Sequence, residues 1–261
     1  MARRKRGLVM GASATLLRPL MMALTRRDWR HAERIPRDGG FIVVANHVSY
    51  ADPLVIAHLL YDSGRLPRFL GKAEVFDVPV LGRLLVAAGQ IPVYRQSTDA
   101  ASALRAAIEA VNKGECVVVY PEGTITRDPN LWPMTGKTGA VRIALSTRCP
   151  VIPIAQWGSQ SLLGPYSKKP DLLPVKTMTL SVGEPVALDD LRDQPLSPAM
   201  LRDGTERLMD AITELLAEIR GESAPPQRYD ARSPDQPRIG KPPKPTKPRR
   251  RGKTKSPGGT G

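Results

Sequence analysis

From residue 39 to residue 220 the apolar positions fall in blocks, and the blocks change period. Residues 41–45, 116–120 and 151–157 are short, nearly continuous apolar runs rich in β-branched side chains, the pattern of strands buried on both faces. Residues 68–71, 91–94 and 176–182 add three more strands, the last with alternating polarity. Between them the spacing is that of helices. Residues 52–62 carry Pro53 in the first turn, 80–88 stop at Gly89, and 98–112 stop before Gly114. Residues 138–146 follow, and 197–220 open on Ser197-Pro198, a cap and a first-turn proline. Strands alternating with helices predict an α/β fold: a mixed, largely parallel central sheet flanked by helices.

Both ends break the pattern. Residues 1–37 set apolar stretches, Leu8 to Leu17 and Leu20 to Leu24, between the clusters Arg3-Arg4-Lys5-Arg6 and Arg26-Arg27-Asp28-Trp29-Arg30. Arg18-Pro19 interrupts them and no small-residue cleavage site follows, which argues against a signal peptide. The uninterrupted length is too short for a hydrocarbon core of ~30 Å. A helical segment lying in a membrane interface fits better, with Trp29 as its anchor; a helix packed on the domain is the plainer alternative. Residues 221–261 hold nine prolines and the run Pro248-Arg249-Arg250-Arg251-Gly252-Lys253 without apolar periodicity, so disorder is expected there. The chain divides into an interfacial segment (1–37), a domain (38–220) and a basic tail (221–261).

Charge sharpens this division. The total is +14, and each end carries +8, so the domain itself is −2. Basic ends on a near-neutral domain suit an anionic membrane surface, and the lack of aromatic-basic interleaving weighs against nucleic acid. The 41% hydrophobic content suffices for a buried core. Cys116 and Cys149 lie in or beside apolar runs, as buried free thiols would in a reducing compartment. His31, His47 and His58 form no cluster with cysteine, so no metal site is expected, and no glycine-rich nucleotide loop appears.

Candidate chemistry begins where the first strand breaks into Asn46-His47, with Asp52 five residues after the histidine. A carboxylate that accepts from one imidazole nitrogen leaves the other free to take a proton. A helix-capping Asp beside a merely polar His explains these residues equally well. Three further stretches stand at strand ends: Gly89-Gln90-Ile91-Pro92-Val93-Tyr94-Arg95, Tyr120-Pro121-Glu122-Gly123-Thr124-Ile125-Thr126-Arg127 and Val151-Ile152-Pro153-Ile154. In this order the four stretches resemble the blocks of the glycerolipid acyltransferase family, best represented by the lysophosphatidic acid acyltransferases. The similarity covers residues 30–215.

The resemblance implies that His47 is the general base for a lysolipid hydroxyl attacking an acyl thioester, and that Asp52 orients its ring. It implies that Arg95 binds the acceptor's phosphate, with Lys72 and Arg127 as further candidates, and that Glu122, Gly123 and Thr124 floor the acceptor site. Glu122 would orient Arg95 or a glycerol hydroxyl. The strand 151–154 would pack near the acyl chain. Ile125 stands where the family commonly has arginine, which leaves room for another lysophospholipid or lyso-amino-lipid acceptor. Ser49 beside His47 offers a rival covalent route, but no nucleophile-elbow pattern surrounds it. The implied protein is a peripheral enzyme of phospholipid biosynthesis at the cytoplasmic face of the cell membrane. It would need no cofactor, its partners being the lysolipid acceptor and acyl-CoA or acyl carrier protein as donor.

Overall fold

The central strand β2, Phe41–Ala45, is buried along its whole length. Its alternation feeds two cores: Phe41, Val43 and Ala45 point to one face of the sheet, Ile42 and Val44 to the other. In this computed structural model, which describes residues 11, 18–93, 99–233 and 236–240, seven strands form one sheet. They are β1 (Thr25–Arg30), β2, β3 (Pro67–Lys72), β4 (Ile91–Val93), β5 (Cys116–Val119), β6 (Val151–Trp157) and β7 (Lys176–Val182). The order is β1-β7-β6-β2-β5-β3-β4, parallel throughout except between β6 and β7. The fold is the expected α/β class.

Helices cover both faces. Residues 18–24 are helical (α1), followed by α2 (Asp52–Asp62), α3 (Ala73–Phe76), α4 (Leu81–Ala87), α5 (Asp99–Asn112), α6 (Gly139–Thr147), α7 (Ser159–Leu162), α8 (Asp189–Arg192) and α9 (Pro198–Arg220). Met21 of α1 and Val55, Ile56, Leu59 and Leu60 of α2 fill one core. Residues of α5, α6, α8 and α9 fill the other, from Ala103 to Ile212. Ser197 caps α9 as its sequence suggests, its hydroxyl accepting from the Met200 N–H at 3.2 Å. Both cysteines are free and buried.

Two boundaries move. Residues 25–30 are not part of an interfacial helix but the strand β1, paired from Thr25–Lys176 to Arg30–Ser181. Trp29 is not a membrane anchor: it packs against the core with its ring edge-on to His58, centroids 4.9 Å apart. The basic cluster misleads because β1 is an edge strand, where exposed charges are common; Arg27 pairs with Asp62 at 2.9 Å and Arg30 with Asp28 at 2.9 Å. At the other end, Gly221 closes α9 in the left-handed conformation, and residues 222–233 and 236–240 turn back along the domain instead of leaving it. Tyr229 there is buried and bridges to Met134. This segment is held by main-chain bonds, the ion pairs of Arg228 with Glu206 and Asp210, and one aromatic, which leave no apolar period to read. The clusters Arg3–Arg6 and Arg249–Arg251 lie outside the described residues.

Candidate active site

β2 ends at the C-terminal edge of the sheet, where α/β folds place ligands. Asn46 fastens that end to β6. Its amide donates to the Gln156 carbonyl (3.0 Å) and accepts from the Gln156 N–H (2.8 Å), while the Gln156 amide donates to the Asn46 carbonyl (2.7 Å). His47 follows with every backbone group held. Its N–H donates to Glu122 Oε1 at 3.0 Å and its carbonyl accepts from the Thr126 N–H at 2.7 Å.

The ring is held as firmly. Asp52, fully buried in the first turn of α2, lies 2.7 Å from His47 Nδ1 through Oδ2. The carboxylate can only accept, so Nδ1 carries the hydrogen and Nε2 is left to the cleft. Asp52 does not cap α2; the cap residue is Ala51, without a side-chain bond. Oδ2 also accepts from the N–H groups of Val48 (2.7 Å) and Ser49 (2.9 Å), and Oδ1 accepts from the Ser159 hydroxyl at the start of α7. Tyr120 stacks on the imidazole, centroids 4.2 Å apart. Burial, then the Asp52 charge, pushes the Tyr120 hydroxyl well above the usual phenol range, so the platform stays neutral. Ser49 is buried, donating to the Leu163 carbonyl (2.6 Å) and accepting from the Ala51 N–H (3.0 Å), so its hydroxyl cannot reach a substrate.

His47 opens on a cleft of about 540 Å³. Phe69, Phe76 and Leu85 give it an apolar wall, and Lys72, Gly123, Thr124 and Arg127 give it a polar one, so four residues expected in the site meet His47 there. Gly123 turns at φ +69°, and a Cβ built on it would meet the Lys137 side chain at 2.6 Å from Nζ. Arg95 lies outside the described residues; Val93, two positions before it, pairs with Lys72 in the sheet.

One expected residue, and the strand expected near the acyl chain, sit elsewhere. Glu122 does not line the cleft. It is buried behind His47, with Oε1 on the His47 N–H and Oε2 on the Met134 N–H (3.0 Å). Burial drives its pKa up to about 8 against those two donors, which favour the anion. Val151–Ile154 packs inside the sheet between β2 and β7, and none of these residues lines the cleft. Sequence reasoning missed Ser159, Tyr120, Lys137 and Tyr166. Only Tyr120 lay within a recognised stretch; the others come from segments without a motif. Among the described residues no cluster of three His, Cys, Asp or Glu could hold a metal.

The His47–Asp52 pair thus stands at a strand end and faces a cleft lined by apolar side chains and by Lys72 and Arg127. The family model of the acyltransferases matches residues 26–157, and the chain belongs to that family. It is 30% identical to the 1-acyl-sn-glycerol-3-phosphate acyltransferase of Bacillus subtilis over 70% of this chain and 84% of that protein. It is 31% identical to a chloroplastic 1-acyl-sn-glycerol-3-phosphate acyltransferase of Brassica napus over 53% of this chain, and spans 39% of that longer relative. The crystal structure of the 1-acyl-sn-glycerophosphate acyltransferase PlsC from Thermotoga maritima has the same fold, with a TM-score of 0.63, 24% identity and coverage of 86% of this chain and 85% of that one.

Proposed function

We propose that the protein transfers an acyl chain from a thioester, acyl-CoA or acyl carrier protein, to the free hydroxyl of 1-acyl-glycerol-3-phosphate, yielding phosphatidic acid. The observation that carries this reading is the His47–Asp52 pair, 2.7 Å apart, opening on a cleft whose polar wall holds Lys72 and Arg127. His47 Nε2 takes the hydroxyl proton as the oxygen attacks the thioester carbonyl, and Asp52 stabilises the imidazolium. The tetrahedral intermediate collapses, the C–S bond breaks, and the imidazolium returns the proton to the departing thiolate. Lys72 and Arg127, with Arg95 from the segment after β4, neutralise the acceptor's phosphate, and Thr124 donates to a phosphate or glycerol oxygen. The relatives named as 1-acyl-sn-glycerol-3-phosphate acyltransferases support the acceptor.

The protein would work at a membrane surface, its acceptor entering from a leaflet. Among the described residues no helix is long and apolar enough to cross a membrane. Beside the cleft, Val75, Val78, Val80, Leu81 and Leu84 are exposed, which suits contact with lipid. A transfer assay on lysophosphatidic acid with both donors tests the reading. Turnover is expected in the wild type, and His47→Ala is expected to lower kcat at least about 10³-fold while the variant stays folded. Full activity in His47→Ala would overturn the mechanism. A second reading, another lysolipid acceptor, rests on Ile125, which is buried and adds no cation to the cleft. A panel of lysolipids with one donor separates the two by kcat/KM.

A further inference from the structure

The match to the family model ends at Trp157, yet the cleft's rim is fastened by residues from beyond α9. After α9 the chain is anchored twice. At the first anchor, Arg228 bridges Glu206 and Asp210 of α9, and the Tyr229 carbonyl accepts from the Thr135 N–H at 3.0 Å. At the second, the Ile239 N–H donates to the Arg127 carbonyl at 3.0 Å, and Arg127 Nη1 donates back to the Ile239 carbonyl at 3.4 Å. Gly240 packs against the Tyr166 ring, where a Cβ would lie 2.6 Å from Cδ2 and Cε2.

Arg127 and Tyr166 both line the cleft. The Arg127 guanidinium sits 5.3 Å from the Tyr166 ring centroid, and the Tyr166 hydroxyl donates to the Ile125 carbonyl at 2.6 Å. The Arg127 N–H contacts Met134 Sδ at 3.1 Å, and the Met134 N–H reaches Glu122, which holds His47. One side of the guanidinium thus faces the Tyr166 ring, which Gly240 packs against, and another meets the Ile239 carbonyl.

We propose that residues 228–233 and 236–240 are a positioning strap: by gripping Arg127 and Tyr166 they aim a cation at the acceptor's headgroup, so that recognition of the acceptor depends on a segment beyond the residues that the family model matches. This rests on the reading of the cleft as the acceptor site. Arg127 supplies the charge that Ile125 does not, and it does so only while Ile239 and Gly240 are seated.

The test compares the full chain with chains ending at Gly240 and at Ser233, and with Ile239→Pro, which deletes the N–H that meets the Arg127 carbonyl. The assay uses whichever lysolipid the full chain acylates, in detergent micelles. The chain ending at Gly240 should match the full chain. The chain ending at Ser233 and Ile239→Pro should each raise the acceptor KM about tenfold, the cost of misplacing one charged donor, with kcat and donor KM within about twofold. In an Arg127→Ala background the shorter chain should add no further loss, because the strap acts through Arg127. An unchanged acceptor KM overturns the proposal. So does a parallel fall of kcat and melting temperature, or a loss that is additive with Arg127→Ala. Failure of the full chain on lysophosphatidic acid, with turnover of another lysolipid, sinks the acceptor assignment and leaves the strap's test standing. Titration calorimetry with glycerol 3-phosphate on the same chains gives a readout without turnover: weaker binding is expected only where Ile239 and Gly240 are removed or unseated, and equal binding by all would count against the strap.

Discussion

Glu122 carries opposed demands. Two backbone donors favour its anion, burial favours the acid, and burial dominates, raising the pKa to about 8. An unfolded glutamate releases its proton near 4.5, so between about 4.5 and about 8 the folded chain holds the extra proton. Stability from this residue is therefore complete below that window and is lost as pH rises through it. Glu122→Gln removes the titration but keeps only one acceptor oxygen for the N–H groups of His47 and Met134. The variant is expected to be about 1–3 kcal/mol less stable at pH 5, with the deficit narrowing toward pH 8. Its kcat should fall because the His47 backbone loses a holder. Thermal melts at several pH values check this, and a deficit constant with pH would remove the buried proton from the account.

Close approach decides the elements around the cleft. Gly82, in the first turn of α4, packs against α3 so tightly that a Cβ would lie 1.8 Å from the Phe76 carbonyl oxygen. Gly82→Ala must push α4 off α3 and carry Phe76 and Leu85 out of the cleft wall. The expected cost is about 3 kcal/mol, with a melting temperature lower by several degrees and a raised acceptor KM. A variant with unchanged melting would show that the two helices slide apart freely. Elements whose signals are local were legible: β2 and α2 lie where the apolar run meets Asn46 and Pro53, and β6 and β7 match their patterns residue for residue. Strand β1 was not, because its partner β7 is 151 positions away and its charges resemble a headgroup-binding cluster. α3, α7 and α8 have four residues each, too few to display a period. The site divides the same way. His47 and Asp52 are five residues apart and readable together, whereas Ser159 reaches Asp52 across 107 residues and carries no motif. Glu122 was legible as a site residue but not in its direction, since a sequence does not say which carboxylates turn inward.

At the scale of the molecule, the proposed contact with lipid rests on one exposed apolar tip beside the cleft. Between α3 and α4 the chain makes a γ-turn of the rare positive-φ kind: Val80 sits at φ 68°, ψ −57°, and the Leu81 N–H donates to the Pro79 carbonyl at 2.8 Å. A β-branched residue held this way costs on the order of 1–3 kcal/mol, and the result is a side chain 68% exposed to water. No charged residue lies between Val78 and Gly82, while the inner side of the same elbow, Phe76 and Leu85, walls the cleft. An acyl chain leaving a leaflet beside this tip would pass from one apolar surface to the next without crossing water. Val80→Asp with Leu84→Asp is therefore expected to reduce partitioning onto anionic vesicles about tenfold or more per side chain, leaving kcat on micellar acceptor within about threefold. Val80→Gly relieves the strained turn, so it should melt no lower than wild type and still partition less, separating lipid contact from folding. Vesicle sedimentation and thermal melts on the three chains decide the matter. Unchanged partitioning would leave the tip without a lipid role, and loss of a concentration-dependent dimer in the Asp variants would assign it to a second copy of the chain.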